Sequence, residues 1–353
     1  MATNITRRQM LRTVGAGVAG GVVLGASGCS EKGVLGGNKS RLRLSHQWPN
    51  AKNEDGDFRA WFAQEFARKI GKETDGEVEI KVFPAASLVE AEAQYEAMRK
   101  GTIDMTVYPV VYAVGDHPAF DVTALPCLIQ NHTQAQNWQK SKLGARVEAI
   151  FEEAGTKILA WNWDSLCLGV KGGPPVVRPD DIEDGAVWRG ASPLIEKLLQ
   201  KAGASITSMD SSEVYNAMQT GTLDGFITSP SSYRSYRLYE QTSAYTSPTE
   251  NTVGFFFEPL LIGLDQFKEL PKDVQTVFED VGAQMQKFAF GASEEDDLAT
   301  EQKAADSDVT VKKMDDAALA EWKQLSEPLW AEFAEKVPNG AELVDMAKNV
   351  PAE

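Results

Sequence analysis

The sequence predicts an α/β protein built from two similar lobes with a cleft between them. Residues 185–230 alternate strand, helix, short strand, helix, strand, the order that builds a parallel sheet. Residues 95–104 (YEAMRKGTID) match residues 215–224 (YNAMQTGTLD) at six positions, and both copies read as helix, glycine cap, strand. A single ten-residue match also fits mere reuse of one helix-to-strand turn. The length favours two lobes, because 353 residues suit about two domains.

Within residues 185–230, Arg189 closes the first strand, and Ser192-Pro193 opens a helix with an N-cap hydroxyl and a proline at its first position. Leu194, Ile195, Leu198 and Leu199 recur at helical spacing, and Gly203 follows where a cap is needed. The next helix buries Val214, Ala217 and Met218, stops at Gly221, and leads into the strand ending at Thr228. Ligands of such sheets sit beyond the carboxyl ends of the strands. Arg189 and Thr228 therefore mark a candidate anion site.

From the start, Arg41–Gln47 reads as a first strand, with Gln47 and Trp48 at its carboxyl end. Phe58, Trp61, Phe62, Phe66 and Ile70 form a helical stripe, and Glu77–Val82 alternates as a strand exposed on one face. Residues 133–154 read as one helix, and Lys157–Trp163 as a strand. Leu260–Leu264 is a further strand, and Pro271 starts a helix continuing through Glu294–Asp297, an acidic run expected on a solvated face. Residues 316–336 form the last amphipathic helix.

Thr6-Arg7-Arg8-Gln9-Met10-Leu11-Arg12 resembles a twin-arginine export signal, and the Gly/Ala-rich run Val14–Gly28 is too short to span a bilayer. Ala26-Ser27-Gly28 before Cys29 fits ordinary signal cleavage. The same cut leaves Cys29 first, as in a lipoprotein, and this reading is favoured because the cysteine otherwise has no purpose there. Residues 30–39 then form a tether, and a lipid on Cys29 would be the only membrane attachment. Losing Arg7, Arg8 and Arg12 takes the net charge from −16 to −19, which argues against nucleic acid and anionic lipid headgroups as partners. Cys127 and Cys167 lie in apolar contexts and read as buried thiols.

The chain has no GxSxG, Walker A, HExxH, CxxC or GxGxxG motif, and His46, His117 and His132 lack metal-ligand spacing. No cofactor or metal is expected. Together with export and two α/β lobes, this favours a binding protein over an enzyme. The alternative is a secreted enzyme acting on a small acidic metabolite, with Asp164 or Glu213 as general base.

Three stretches carry a family resemblance: Gly76–Ser87 (GEVEIKVFPAAS) with Gly101–Met105 and Leu125-Pro126, then Asp181–Arg189, then Ser212–Gly225 supported by Phe267–Pro271. In these the chain resembles the extracytoplasmic solute receptors of tripartite ATP-independent periplasmic (TRAP) transporters, the DctP family, which includes C4-dicarboxylate and sialic-acid binders. The resemblance covers roughly residues 41–340. It implies the two-lobed type II periplasmic-binding-protein fold, with a ligand cleft between lobes and a long helix spanning both. Residues 1–28 would be the signal peptide and 29–40 the tether. Residues 41–162 and 246–288 would form lobe I, and 163–245 and 289–353 lobe II. It further implies a periplasmic receptor that closes on its ligand and delivers it to a membrane permease.

The family's carboxylate-pairing arginine falls on Arg189, and Gln47 matches its amide at the end of the first strand. Sialic-acid binders have Asn where Thr228 stands, a second arginine near Cys167 or Leu168, and charged residues at Pro109 and Tyr112. The pocket of this chain therefore reads as less polar. Strand-end aromatics Trp48, Tyr108, Tyr112, Trp163 and Phe256 complete the expected ligand wall, and the expected ligand is a small monocarboxylate with an apolar or aromatic part. As a strand-end residue, Arg189 is expected to contribute little to the core.

Overall fold

Apolar residues at alternate positions of Ser40–Ser45 (β1) and Val78–Phe83 (β2) let the two pair in parallel, Leu42 beside Ile80. The computed structural model describes residues 40–53 and 56–353. The twin-arginine segment, the cleavage triplet, Cys29 and the tether as far as residue 39 lie outside them.

Between β1 and β2 runs Phe58–Glu73 (α1), capped by Asp57, whose carboxylate accepts from the backbone N–H groups of Arg59 and Ala60. Gln94–Arg99 (α2) and Met105–Val107 (β3) follow, then His132–Lys140 (α3), Lys142–Glu153 (α4) and Thr156–Ala160 (β4). The single helix expected over 133–154 is thus two. Ser141 is extended (φ −91°, ψ 171°), and its Oγ accepts from Gly144 N–H to cap α4 while donating to Trp138 O. A serine that bonds locally to the backbone competes with the helix, and here it ends one and starts another.

Trp163–Ser165 (β5) and Cys167–Val170 (β6) lead to the 185–230 region, which has the expected order. It comprises Val187–Gly190 (β7), Pro193–Lys201 (α5), Ser205–Ser208 (β8), Val214–Thr220 (α6) and Gly225–Thr228 (β9). Pro230–Ser235 (α7), Ala244–Ser247 (β10), Phe255–Phe257 (β11), Leu260–Gly263 (β12) and Leu264–Glu269 (α8) come next. The chain ends with Lys272–Ala305 (α9), Thr310–Lys313 (β13), Asp316–Lys336 (α10) and Gly340–Lys348 (α11).

One sheet runs β2-β1-β3-β12-β4, a second β13-β10-β6-β9-β7-β8, and the antiparallel pair β5-β11 makes a short ribbon between them in the chain. The 34-residue α9 packs on α1 and β4 of the first sheet's lobe and on α7, β10 and β13 of the second. The architecture is the two-lobed α/β fold with a helix spanning both. At the C-terminus, carbonyls of Val350, Pro351 and Ala352 accept from Gln134, Asn137 and Asn131, which fastens residues 350–352 to α3 and its N-cap.

The sequence echo has a shared structural job. Thr102 and Ile103 donate their N–H groups to Ala97 O, as Thr222 and Leu223 do to Ala217 O. Asp104 accepts from the Arg43 N–H at 2.7 Å, and Asp224 from the Val187 N–H at 2.8 Å. Each aspartate also donates its own N–H to the carbonyl of that same residue. In both lobes a glycine at positive φ (Gly101 71°, Gly221 76°) turns the helix back, and an aspartate ties it to the next strand.

Candidate functional site

The strands β1, β3 and β4 run parallel, so Gln47, Tyr108 and Asn162 all follow carboxyl ends on one edge of the first sheet. In the second sheet β7, β8 and β9 are parallel, and Arg189, Met209 and Thr228 lie at their carboxyl ends. Tyr112 of the first lobe meets Arg189 and Ser211 of the second, and Tyr236 donates to Gln47 O at 3.0 Å. These contacts mark where the two edges face each other.

Arg189 is 1% exposed. Its Nε donates to Met209 O (3.0 Å), Nη1 to Ile227 O (2.9 Å) and Nη2 to the Tyr112 hydroxyl (3.3 Å). These three bonds fix the plane of the guanidinium and leave one N–H on each terminal nitrogen. No carboxylate among the described residues pairs with it. A buried cation without a directly paired carboxylate is costly, and that cost favours any anion that reaches it. The expectation that Arg189 adds little to the fold needs correction. Its bonds to Met209 O and Ile227 O pair carbonyls at two strand ends, and Ile227 is fully buried.

A second buried guanidinium escaped the sequence reading. Arg59 is fully buried and donates all five of its N–H groups. Asp57 takes two of them (3.0 and 2.8 Å), Glu258 takes one (2.8 Å), and Ser229 and Ser232 take the others (3.0 and 3.1 Å). Asp164 Oδ2 stands 3.2 Å from Nη1, and the guanidinium carbon lies 4.2 Å over the Trp48 ring. Burial alone would raise the pKa of Asp57, but the Arg59 charge and hydrogen bonds hold it below the ordinary range. Burial dominates at Asp164 and Glu258 and raises both. The cluster joins α1 to α7 across the lobes. Only Asp57-x-Arg59, a cap beside a basic residue, was visible locally.

The acidic run on α9 also differs from expectation. Asp296 and Asp297 are each 4% exposed, not solvated. Asp296 pairs with Arg234, and burial nonetheless pushes its pKa up to about 6. Asp297 accepts from the Ser165 hydroxyl and contacts His132 Nε2, both at 2.8 Å. Only Glu294 and Glu295 of the run face solvent.

The other expected site residues separate into groups. Gln47 and Tyr112 lie at the facing edges with Arg189, and Gln47 Oε1 is buried without a hydrogen-bond partner among the described residues. Thr228 is buried at the end of β9, two residues before α7. Trp48 gives its face to Arg59. Tyr108 donates to Glu92 O (2.9 Å) and packs edge-on to Tyr112 at 6.0 Å. Trp163 packs with Trp138, Trp161 and Phe257, and Phe256 is buried in the same core. Asp164 belongs to the Arg59 cluster, whereas Glu213 is exposed at the start of α6.

Among the described residues no helix is long and apolar enough to cross a membrane, and no cluster of His, Cys, Asp and Glu suits a metal. Cys127 and Cys167 are buried thiols, and burial pushes Cys127 up to about 12.

Two facing lobes, with a buried guanidinium where their strand ends meet, have the architecture of a receptor for a small solute. The chain belongs to the bacterial extracellular solute-binding protein family 7 (DctP), whose family model matches residues 45–336. It is thereby a solute receptor of the TRAP kind, a periplasmic solute-binding family. A solute-binding protein of Albidiferax ferrireducens is 34% identical over 313 residues, covering 88% of this chain and 91% of that protein. The C4-dicarboxylate-binding periplasmic protein DctP of Rhodobacter capsulatus is 25% identical, covering 82% and 86%. The structure of a TRAP periplasmic solute-binding protein from Rhodoferax ferrireducens, with bound malonate, superposes with a TM-score of 0.85 at 32% identity, covering 88% of this chain and 98% of the other. A marine TRAP protein specific for aromatic acids shares the fold at 21% identity, with a TM-score of 0.79 over 88% and 98% of the two chains.

Proposed function

We propose that this chain captures a small organic monocarboxylate with an apolar or aromatic part and hands it to the membrane permease of a TRAP transporter. Export follows the twin-arginine route, and Cys29 carries a lipid anchor. The observation that carries the ligand reading is a difference between two arginines. Among the described residues, Arg59 and Arg189 are the buried arginines, and no lysine is buried. Arg59 has spent all five donors on the protein, whereas Arg189 keeps one on each terminal nitrogen. One buried guanidinium with donors to spare supports one carboxylate, since a second carboxylate would lose its water without gaining a cation. Half-buried Met209 and Tyr112 stand beside Arg189 and supply apolar contact for the remainder.

The malonate in the Rhodoferax ferrireducens structure gives a size-matched comparison. Calorimetric titration should show the half-amide of malonate binding at least as tightly as malonate itself. Arg189→Ala should weaken the tightest acid by about 30-fold or more, and Arg189→Lys should recover part of that, because an ammonium keeps the charge without the fork. Unchanged affinity in a folded Arg189→Ala protein refutes the carboxylate clamp. A tenfold preference for the dianion refutes the monocarboxylate reading.

A further inference from the structure

We infer that the carboxylate is gripped by both lobes at once, through the hydroxyls of Tyr112 and Ser211 as well as Arg189. This rests on the carboxylate-receptor reading and names the rest of the clamp. The argument is a count of protons. Tyr112 Oη accepts from Arg189 Nη2 at 3.3 Å and from the Ser211 N–H at 3.1 Å. A phenol oxygen that accepts twice still owns one O–H proton, and no group among the described residues takes it. Ser211 is 4% exposed, and its Oγ has no partner either. The neighbouring carboxylate is turned away, since Asp210 Oδ1 accepts from the N–H and the hydroxyl of Ser212.

Arg189 adds one N–H from each terminal nitrogen. Four donors, two N–H and two O–H, are thus left without an acceptor on Arg189, Ser211 and the Tyr112 that bonds to both. Buried donors without acceptors are expensive. A carboxylate, which only accepts and has about four lone-pair sites, is the complementary group. Tyr112 belongs to the first lobe, while Arg189 lies at the end of β7 and Ser211 follows β8 of the second. An anion that takes bonds from both sides therefore rewards the closed arrangement, whereas a neutral solute leaves the donors unmet.

Ser211→Ala is the clean test. It removes one hydroxyl and keeps the backbone N–H that holds Tyr112, so the contact between lobes survives. A thermal-shift panel of linear two- to six-carbon and aromatic monocarboxylates, each beside its primary amide, selects the best acid for calorimetry. Ser211→Ala should weaken that acid about tenfold, Ser211→Thr should keep most of the affinity, and Tyr112→Phe should cost about 30-fold or more. If Arg189→Ala abolishes binding while Ser211→Ala does not change it, the shared clamp is wrong and the Arg189 reading stands. Loss in Tyr112→Phe with full affinity in Ser211→Ala also overturns the inference, because Tyr112 is then only a contact between lobes. If no acid shifts the wild type, or amides bind as well as acids, the carboxylate reading falls and this one with it.

Discussion

Replacing Arg59 by Met removes five donated hydrogen bonds and leaves Asp57, Asp164 and Glu258 buried without their shared cation. Breaking one buried pair costs about 3–5 kcal/mol, a large part of the ~5–15 kcal/mol that holds a typical domain together. The loss has a ceiling, because a stranded carboxylate can take up a proton. Without Arg59 the burial that raises Asp164 and Glu258 goes unopposed, and Asp57 loses the charge and hydrogen bonds that hold it below its ordinary 3.8, so the folded variant's cluster takes up an extra proton. Neutralising a carboxyl of pKa 3.8 costs about 4 kcal/mol at pH 7 and about 1.6 kcal/mol at pH 5, from 1.36 kcal/mol per pH unit. The folded variant binds one more proton than the folded wild type, so its relative stability rises on acidification. Urea unfolding of both proteins from pH 7.5 to 5 should show the deficit shrinking by about 1.4 kcal/mol per pH unit. A deficit below about 1 kcal/mol, or one independent of pH, refutes the charge-cluster account.

Three other outcomes follow from single sites. Burial pushes Asp121 up to about 7, and its Oδ1 has no partner among the described residues. Its contribution is present below pH 3.8 and lost as pH rises through about 7. Asp121→Asn should therefore exceed wild type by roughly 1–4 kcal/mol at pH 8, with the gain fading toward pH 5 in denaturant melts. Gly225 faces Trp188 across β9 and β7, and a Cβ there would lie 2.5 Å from the indole. Gly225→Ala should cost about 1–3 kcal/mol by overpacking, visible as a lower melting temperature with the same ligand stoichiometry. Cys29→Ser should release the exported protein from membrane fractions without changing acid affinity. Wild-type protein found wholly in the soluble fraction counts against the anchor.

The sequence by itself determined what depends on short-range pattern. Helical spacing and caps placed α5, α6 and α10, and the ten-residue echo marked the turn that both lobes tie with Asp104 and Asp224. The family motif pointed to Arg189 because a cation at a strand end has a defined neighbourhood. Tertiary structure decided what depends on distant partners. Arg59 meets Ser229 and Glu258 from 170 and 199 residues away, and no local pattern separates it from surface arginines. Asp296 and Asp297 look like their solvated neighbours Glu294 and Glu295, but α9 turns them inward toward Arg234, Ser165 and His132. Ser211 carries no motif of its own and matters only because Tyr112, 99 residues earlier, reaches its N–H. Which of several chemically equal side chains becomes a buried one is fixed by long-range packing, and it was this packing that separated the saturated arginine from the one with donors to spare.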